Sequence, residues 1–273
     1  MTLDLAATFG TTSPVVGMVH LPPLPGSPEY DLDGGREAVL DRARADAQTL
    51  ADGGVDGLIV ENYGDTPFYA EDVPKHVVAE MTRAATALVE AVDCPLGINV
   101  LRNDATAALS VAAAVGADFV RVNVHTGARV TDQGVIEGQA AETLRLREQL
   151  DADVAVLADV AVKHSAPLGE RDLGAAVADA IDRGRADGLV VSGPATGSVT
   201  DADDLRTVVA ARDETDPDVP VFVGSGVTAD SIGDLLSVAD GAIVGTALKE
   251  DRETTNPVDR GKVRSLVGAA PNK

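Results

Sequence analysis

Eight short apolar runs punctuate the chain, and nearly every one passes directly into polar or glycine residues at its C-terminal end. They are VVGMV (15–19), GLIVE (57–61), LGINV (96–100), DFVRVNV (118–124), VAVLAD (154–159), DGLVV (187–191), PVFVG (220–224) and GAIVG (241–245). Their starts lie 21 to 42 residues apart, too far for hairpins and right for strands that alternate with helices. The gaps carry the helical period. Val39, Leu40, Ala43, Ala47 and Leu50 share one face of a helix from about Arg36 to Asp52, stopped by Gly53 and Gly54. An Ala-rich helix follows from near Asn103 to Gly116, and similar stripes recur at Leu173, Val177 and Ile181, at Leu205, Val208 and Val209, and at Ile232, Leu235 and Leu236. Their opposite faces are charged, as on helices that ring a core. Eight such βα units predict an α/β fold, a single (βα)8 TIM barrel, whose active site lies on the loops after the strands.

The strand ends are therefore the places to look for chemistry. In the fourth run Arg121, Asn123 and His125 alternate with valines and share one face. Facing the outer helices, each would cost about 1–3 kcal/mol if unpaired, so they are expected in the barrel mouth. The same logic places His20, Glu61, Asn62, Asn99, Arg102, Asp159 and Ser192 there. Glu61 and Asp159 form the natural acid/base pair, because enclosure raises carboxylate pKa values. Lys163, just beyond the fifth run, suits a Schiff base, an anion contact or a pair with Asp159. Three of the four histidines, His20, His125 and His164, follow strand ends, but no HxH or HExxH spacing supports a metal, and no cofactor is expected.

The last two units end in GSGVTADSI (224–232) and GTALKED (245–251). Gly224, Ser225, Gly226, Gly245 and Thr246 would let backbone amides approach an anion, with Thr228 capping a following helix and Lys249 adding a cation. Glycine also serves tight turns, so each loop alone says little. SGPATG (192–197) offers another glycine loop, either a cover for substrate or a simple turn. HLPPLPGSPEYDLDGG (20–35), with four prolines, reads as a semi-rigid flap or a long connection over the strand ends.

Composition narrows the partners. The chain has 273 residues, 44 Asp and Glu against 22 Lys and Arg, and a formal charge of −22. A barrel occupies about 250 residues as one domain, so a single domain is expected over 1–273, with its core at about 13–265 and loosely held ends. The acidity excludes nucleic acid and anionic membrane surfaces as favoured partners. Spread along the whole chain, it fits a salty cytosol, where molar salt shortens the Debye length to about 3 Å. No apolar run is long enough to span a membrane and no signal peptide opens the chain, so a cytoplasmic protein is expected. Cys94, the lone cysteine, precedes Pro95 and reads as packing.

MVHLPPLPGSP, GGVDGLIVENYGDTPF, GINVLRND, ADFVRVNVHTGARVTDQGVIEG, DVAVKHS, ADGLVVSGPATG and DGAIVGTALKED together resemble the BtpA/SgcQ family across about residues 13–265. Arg252 departs from the resemblance, which leads to glycine after the lysine-acid segment. The resemblance implies a phosphate-binding (βα)8 barrel and two roles: biogenesis of photosystem I in cyanobacterial members, and sugar-phosphate chemistry in other relatives. It implies no particular catalytic residues. The expected activity is isomerisation or aldol-type cleavage of a small phosphorylated metabolite, with Lys163, Arg121 and His125 stabilising developing negative charge. The alternative is an assembly factor for a membrane protein complex. A homo-oligomer is compatible with either.

Overall fold

The structure is a computed structural model that describes residues 2–169, 172–193 and 200–271. Its eight barrel strands are β1 (Val15–His20), β2 (Gly57–Glu61), β3 (Leu96–Asn99), β4 (Phe119–Val122), β5 (Ala155–Ala161), β6 (Gly188–Ser192), β7 (Val221–Gly224) and β8 (Gly241–Val244). All neighbours pair in parallel, in sequence order, and β8 closes on β1. The strands coincide with the eight apolar runs. The run at 118–124 yields only a four-residue strand, because the chain turns away after Val122.

Alternation along each strand builds two apolar layers. Outward residues such as Val19, Leu58, Val60, Ile98, Val120 and Val156 join the helices α2 (Gly35–Gly53), α3 (Lys75–Ala91), α4 (Ala105–Val115) and α7 (Ala202–Thr215) in the larger core. Inward residues Val16, Met18, Ile59, Phe119, Leu157, Val190, Phe222 and Ile243 fill the barrel itself. Its lower end is plugged by α1 (Leu5–Phe9), whose Phe9 ring meets Phe119 at 5.7 Å and Phe222 at 6.3 Å, edge to face. Leu3 and Phe9 of this segment are buried. At the other terminus α9 (Arg260–Ala269) lies on α2, where a Cβ on Gly53 would come within 2.2 Å of Val263.

The lower rim is stitched by a repeated device. Asp56, Asp118, Asp187 and Asp240 each precede an even-numbered strand, and each carboxylate accepts the amide of a neighbouring odd strand: Val15, Leu96, Val156 and Val221, at 2.7–2.8 Å. First-turn amides of buried strands would otherwise lack partners.

Two loops differ from expectation. The proline-rich segment does not lie over the mouth as a flap in its first half. Leu21 and Leu24 are buried, Leu21 donates to the Glu61 carbonyl, and Leu24 donates to Asp65 Oδ1 at 2.7 Å. Exposure begins at Gly26 and is greatest around Leu32. After β4 a hairpin, Ala128–Thr131 with Gly134–Glu137, pairs with Ser165–Pro167 beyond β5 to make a small antiparallel sheet beside the strand ends.

Candidate functional site

The topmost inward position of every strand is polar or glycine. His20, Glu61, Asn99, Arg121, Asp159, Ser192 and Gly224 occupy it in turn, and Gly245 follows β8. Register sets His20 beside Glu61 and Glu61 beside Asn99, and Ser192 beside Gly224. Apolar filling below and polar groups above are the two consequences of one alternation.

Arg121 and Asp159 anchor this layer. The guanidinium donates through Nε to Asp159 Oδ2 and through one terminal nitrogen to Oδ1, both at 2.9 Å. Asn123 Nδ2 reaches the same Oδ2 at 3.0 Å and Ser192 Oγ the Oδ1 at 3.2 Å. Each carboxylate oxygen therefore accepts two hydrogen bonds. Burial opposes the charge on Arg121, but attraction and hydrogen bonds from Asp159 outweigh it and raise its pKa further. Asn99 Nδ2 joins the network through the Arg121 carbonyl at 2.9 Å. A bulge in β5 between Asp159 and Ala161 shifts the register beyond the ion pair.

Glu61 is only 1% exposed, and its carboxylate stands 3.8 Å from His20 Nε2. Burial, then the positive charges of Lys249, Lys163 and Arg121, hold the His20 pKa well below 6.5. This imidazole is neutral at pH 7. Its Nδ1 is buried without a hydrogen-bond partner. The Lys163 ammonium is also desolvated, which lowers its pKa; Glu61 pulls the other way.

A cleft of about 390 Å³ opens above β1, β7 and β8. Ser225–Thr228 and Gly245–Ala247 form one side, with His20, Arg121, Lys163 and Arg252 also on its wall. Gly226 and Gly245 can present only backbone. Ser225 and Gly226 both have positive φ, 95° and 66°. A Cβ on Gly245 would stand 2.8 Å from His20 Cε1, so any side chain there would push the imidazole out of its present place. Among the described residues, the amides of Gly226, Val227, Thr246 and Ala247 donate to no loop carbonyl. The expected helix ends are not there. The helix after β7 is the four-residue α8 (Ile232–Leu235), with Thr228 in the turn before it, and β8 leads into one 3-10 turn, Thr246–Leu248.

Several expected residues lie elsewhere. His125 does not join Arg121 and Asn123 at Asp159: beyond the end of β4 at Val122 the alternation holds for Asn123 but not for His125, whose Nε2 lies 2.7 Å from the Gly184 carbonyl. Asn62 braces the loop after β3, accepting the Leu101 amide at 2.7 Å. Arg102 is buried and holds the Lys163 carbonyl at 2.7 Å, so it positions that loop from behind. His164 is exposed, with a φ of 54°. Lys249 is not the cation of the glycine turns: fully buried, it bonds Asp46 of α2 at 2.8 Å. Arg252, three residues on, reaches the cleft instead. The loop 192–197 is described only at Ser192 and Gly193. Cys94 is half-buried, its thiol pushed up to about 11 by desolvation. Among the described residues no group of three or more His, Cys, Asp or Glu is placed to hold a metal, and no helix is long and apolar enough to cross a membrane.

With the geometry in place, comparisons extend it. The chain is 49% identical over 267 residues to the photosystem I biogenesis protein BtpA of Synechocystis sp., covering 98% of this chain and 91% of that protein. It is 48% identical to an uncharacterized protein of Thermococcus kodakarensis, covering 94% and 95%, and 34% identical to the putative sgc region protein SgcQ of Escherichia coli, covering 96% of each. Among solved structures, tryptophan synthase from Mycobacterium tuberculosis aligns with a TM-score of 0.65 at 17% identity over all of both chains. N-(5'-phosphoribosyl)anthranilate isomerase from Pyrococcus furiosus aligns at 0.57 and 13% identity, covering 96% of this chain and 100% of that one. These structural likenesses establish the TIM-barrel fold. Residues 11–272 match the BtpA family, and the chain belongs to that family.

Proposed function

We propose that this barrel is an enzyme acting on a small phosphorylated metabolite, of the sugar-phosphate kind, by isomerisation or aldol-type cleavage. One observation carries the reading. In a chain with twice as many acids as bases, the described wall of the cleft holds three cations, Arg121, Lys163 and Arg252, no carboxylate, and the backbone of two glycine turns. Backbone amides and fixed cations in a concave site select an anion.

The turns at Gly224, Ser225 and Gly226 and at Gly245 and Thr246 would hold the phosphoryl group. Glu61 lies off the cleft wall but 3.8 Å from Nε2 of His20, which is on it, so Glu61 would carry the proton through that imidazole; Asp159 has every lone pair engaged and serves to position Arg121. Arg121 stabilises the enolate or alkoxide that forms. Lys163, whose proton is loosened by burial, would attack a carbonyl as the free amine in the aldol variant, giving an imine with loss of water, and would contact the oxyanion as the ammonium in the isomerase variant. His125 has no part in this scheme.

A thermal-shift panel of sugar and nucleotide phosphates tests the reading: ligand at 100 times its Kd adds about 2.7 kcal/mol. Borohydride trapping of a ligand on Lys163 separates the two chemistries. For a compound that is turned over, Glu61→Gln should reduce turnover by at least about a hundredfold with an unchanged melt; full activity would remove Glu61 from the mechanism. The second reading, assembly of a membrane protein complex, is favoured by the name of the Synechocystis relative. The name of the similar chain in Escherichia coli, a putative sgc region protein, carries no such assembly role. A panel without a single shift, together with a co-purifying membrane complex, would favour assembly.

A further inference from the structure

We propose that Arg252 is the specificity-determining cation of the phosphate seat, selecting a dianionic phosphoryl group through its guanidinium fork. The inference rests on the reading of the cleft above and adds a residue to it. Arg252 lines the cleft beside Ser225–Thr228 and Gly245–Ala247. Neighbouring cations are already committed: Lys249 to Asp46, and Lys262 to the Lys249 carbonyl. Among the described residues no carboxylate forms an ion pair with Arg252 (compare Arg42 with Asp46 and Arg260 with Asp52). The guanidinium is thus left for an external anion, and its planar donors match phosphoryl oxygens two at a time.

The backbone strengthens the case. Asp251 and Arg252 both adopt positive φ, 52° and 57°, a region glycine enters freely and other residues enter at a cost. The loop is held in that shape from both sides. Glu250 donates to the Pro257 carbonyl, Arg252 to the Lys249 carbonyl, and Asp46 accepts both Lys249 Nζ and the Val258 amide. Local folding preference would choose glycine at position 252. An arginine there opposes stability, so its benefit lies in what its side chain meets. The resulting cation is exposed at the cleft wall on a braced loop, and among the described residues no carboxylate pairs with it.

The test is titration of the full chain with inorganic phosphate at fixed ionic strength in KCl, read by melting temperature and by phosphorus NMR linewidth. Arg252→Gly should melt at or above the wild-type temperature without phosphate, while its affinity for phosphate falls about tenfold to a hundredfold. Arg252→Lys should lose less, and Arg252→Asn, which also tolerates positive φ, should match the glycine variant. Wild-type affinity in both Arg252→Gly and Arg252→Asn would overturn the proposal and leave the phosphate seat intact. If wild-type protein binds no phosphate, the seat and the role of Arg252 fall together.

Discussion

Asp159→Asn isolates the ion pair on which the mouth is built. The Asp159 side chain is fully buried, and that of Arg121 is 3% exposed. Solvent cannot take over when the carboxylate is neutralised. The amide keeps one acceptor oxygen and turns an NH2 group toward the donors of Arg121, so at least one of the four hydrogen bonds becomes a donor-donor clash. Leaving a buried charge without its partner costs about 3–5 kcal/mol. For a domain of this size each kcal/mol moves Tm by about 2–4 °C, so the variant should melt about 6–20 °C below wild type. Thermal unfolding by circular dichroism, without ligand and at one KCl concentration, measures it. Replacing both partners, Arg121→Met with Asp159→Leu, should recover most of the loss, because no charge is then stranded. An Asp159→Asn protein that melts with wild type would refute the reasoning, and would return Asp159 to candidacy as a mobile acid/base.

Two further outcomes follow from charge. The folded pKa of His20 lies below its unfolded 6.5, so between those values the unfolded chain binds more protons and stability rises with pH. Stability is lost as pH falls through that window, and His20→Gln should make the acid limb of a Tm–pH profile shallower; an identical limb would show that His20 is not buried neutral. We also propose that the excess of 44 acids over 22 bases suits a salt-rich interior, which predicts a Tm that climbs from dilute buffer to molar KCl as self-repulsion is screened. A flat or falling curve would refute that.

The barrel was legible because one rule, inward and outward alternation, governs both its core and its rim. If the runs ending in His20, Glu61, Asn99, Arg121, Asp159 and Ser192 are neighbouring parallel strands, their polar ends must converge. The rule fails where a strand stops: β4 ends at Val122, and His125, in step on paper, turns toward Gly184. It is also silent about which of two nearby cations enters a cleft. Lys249 and Arg252 are three residues apart, and a left-handed kink at Asp251 and Arg252 sends them to opposite sides. The stitching aspartates were in plain view, as Val55-Asp56-Gly57, Ala117-Asp118-Phe119, Ala186-Asp187-Gly188 and Ala239-Asp240-Gly241. Their role does not show in the sequence because their partners belong to neighbouring strands, and strand adjacency is a tertiary fact. The hairpin was signalled by Ala128–Thr131, Gly134 and the alternation beyond it, but such a signal looks the same inside a long loop.

The acidity of the chain and the cationic wall of its cleft do not conflict, and the reason bears on how any anion would be bound. In dilute buffer a charge of −22 repels an approaching phosphate over tens of ångströms, and three cations in a cleft only partly offset that. In molar salt the Debye length is about 3 Å, so the repulsion and any steering both vanish beyond contact. Recognition then depends on interactions made at hydrogen-bond distance: amides of the glycine turns, the Arg252 guanidinium and the desolvated Lys163. Arg252 is exposed and Lys163 desolvated, so of these two cations Lys163 is the less affected by screening. Affinity in molar KCl would then report contacts made inside the cleft and not long-range charge, while the fold gains stability as its self-repulsion is screened.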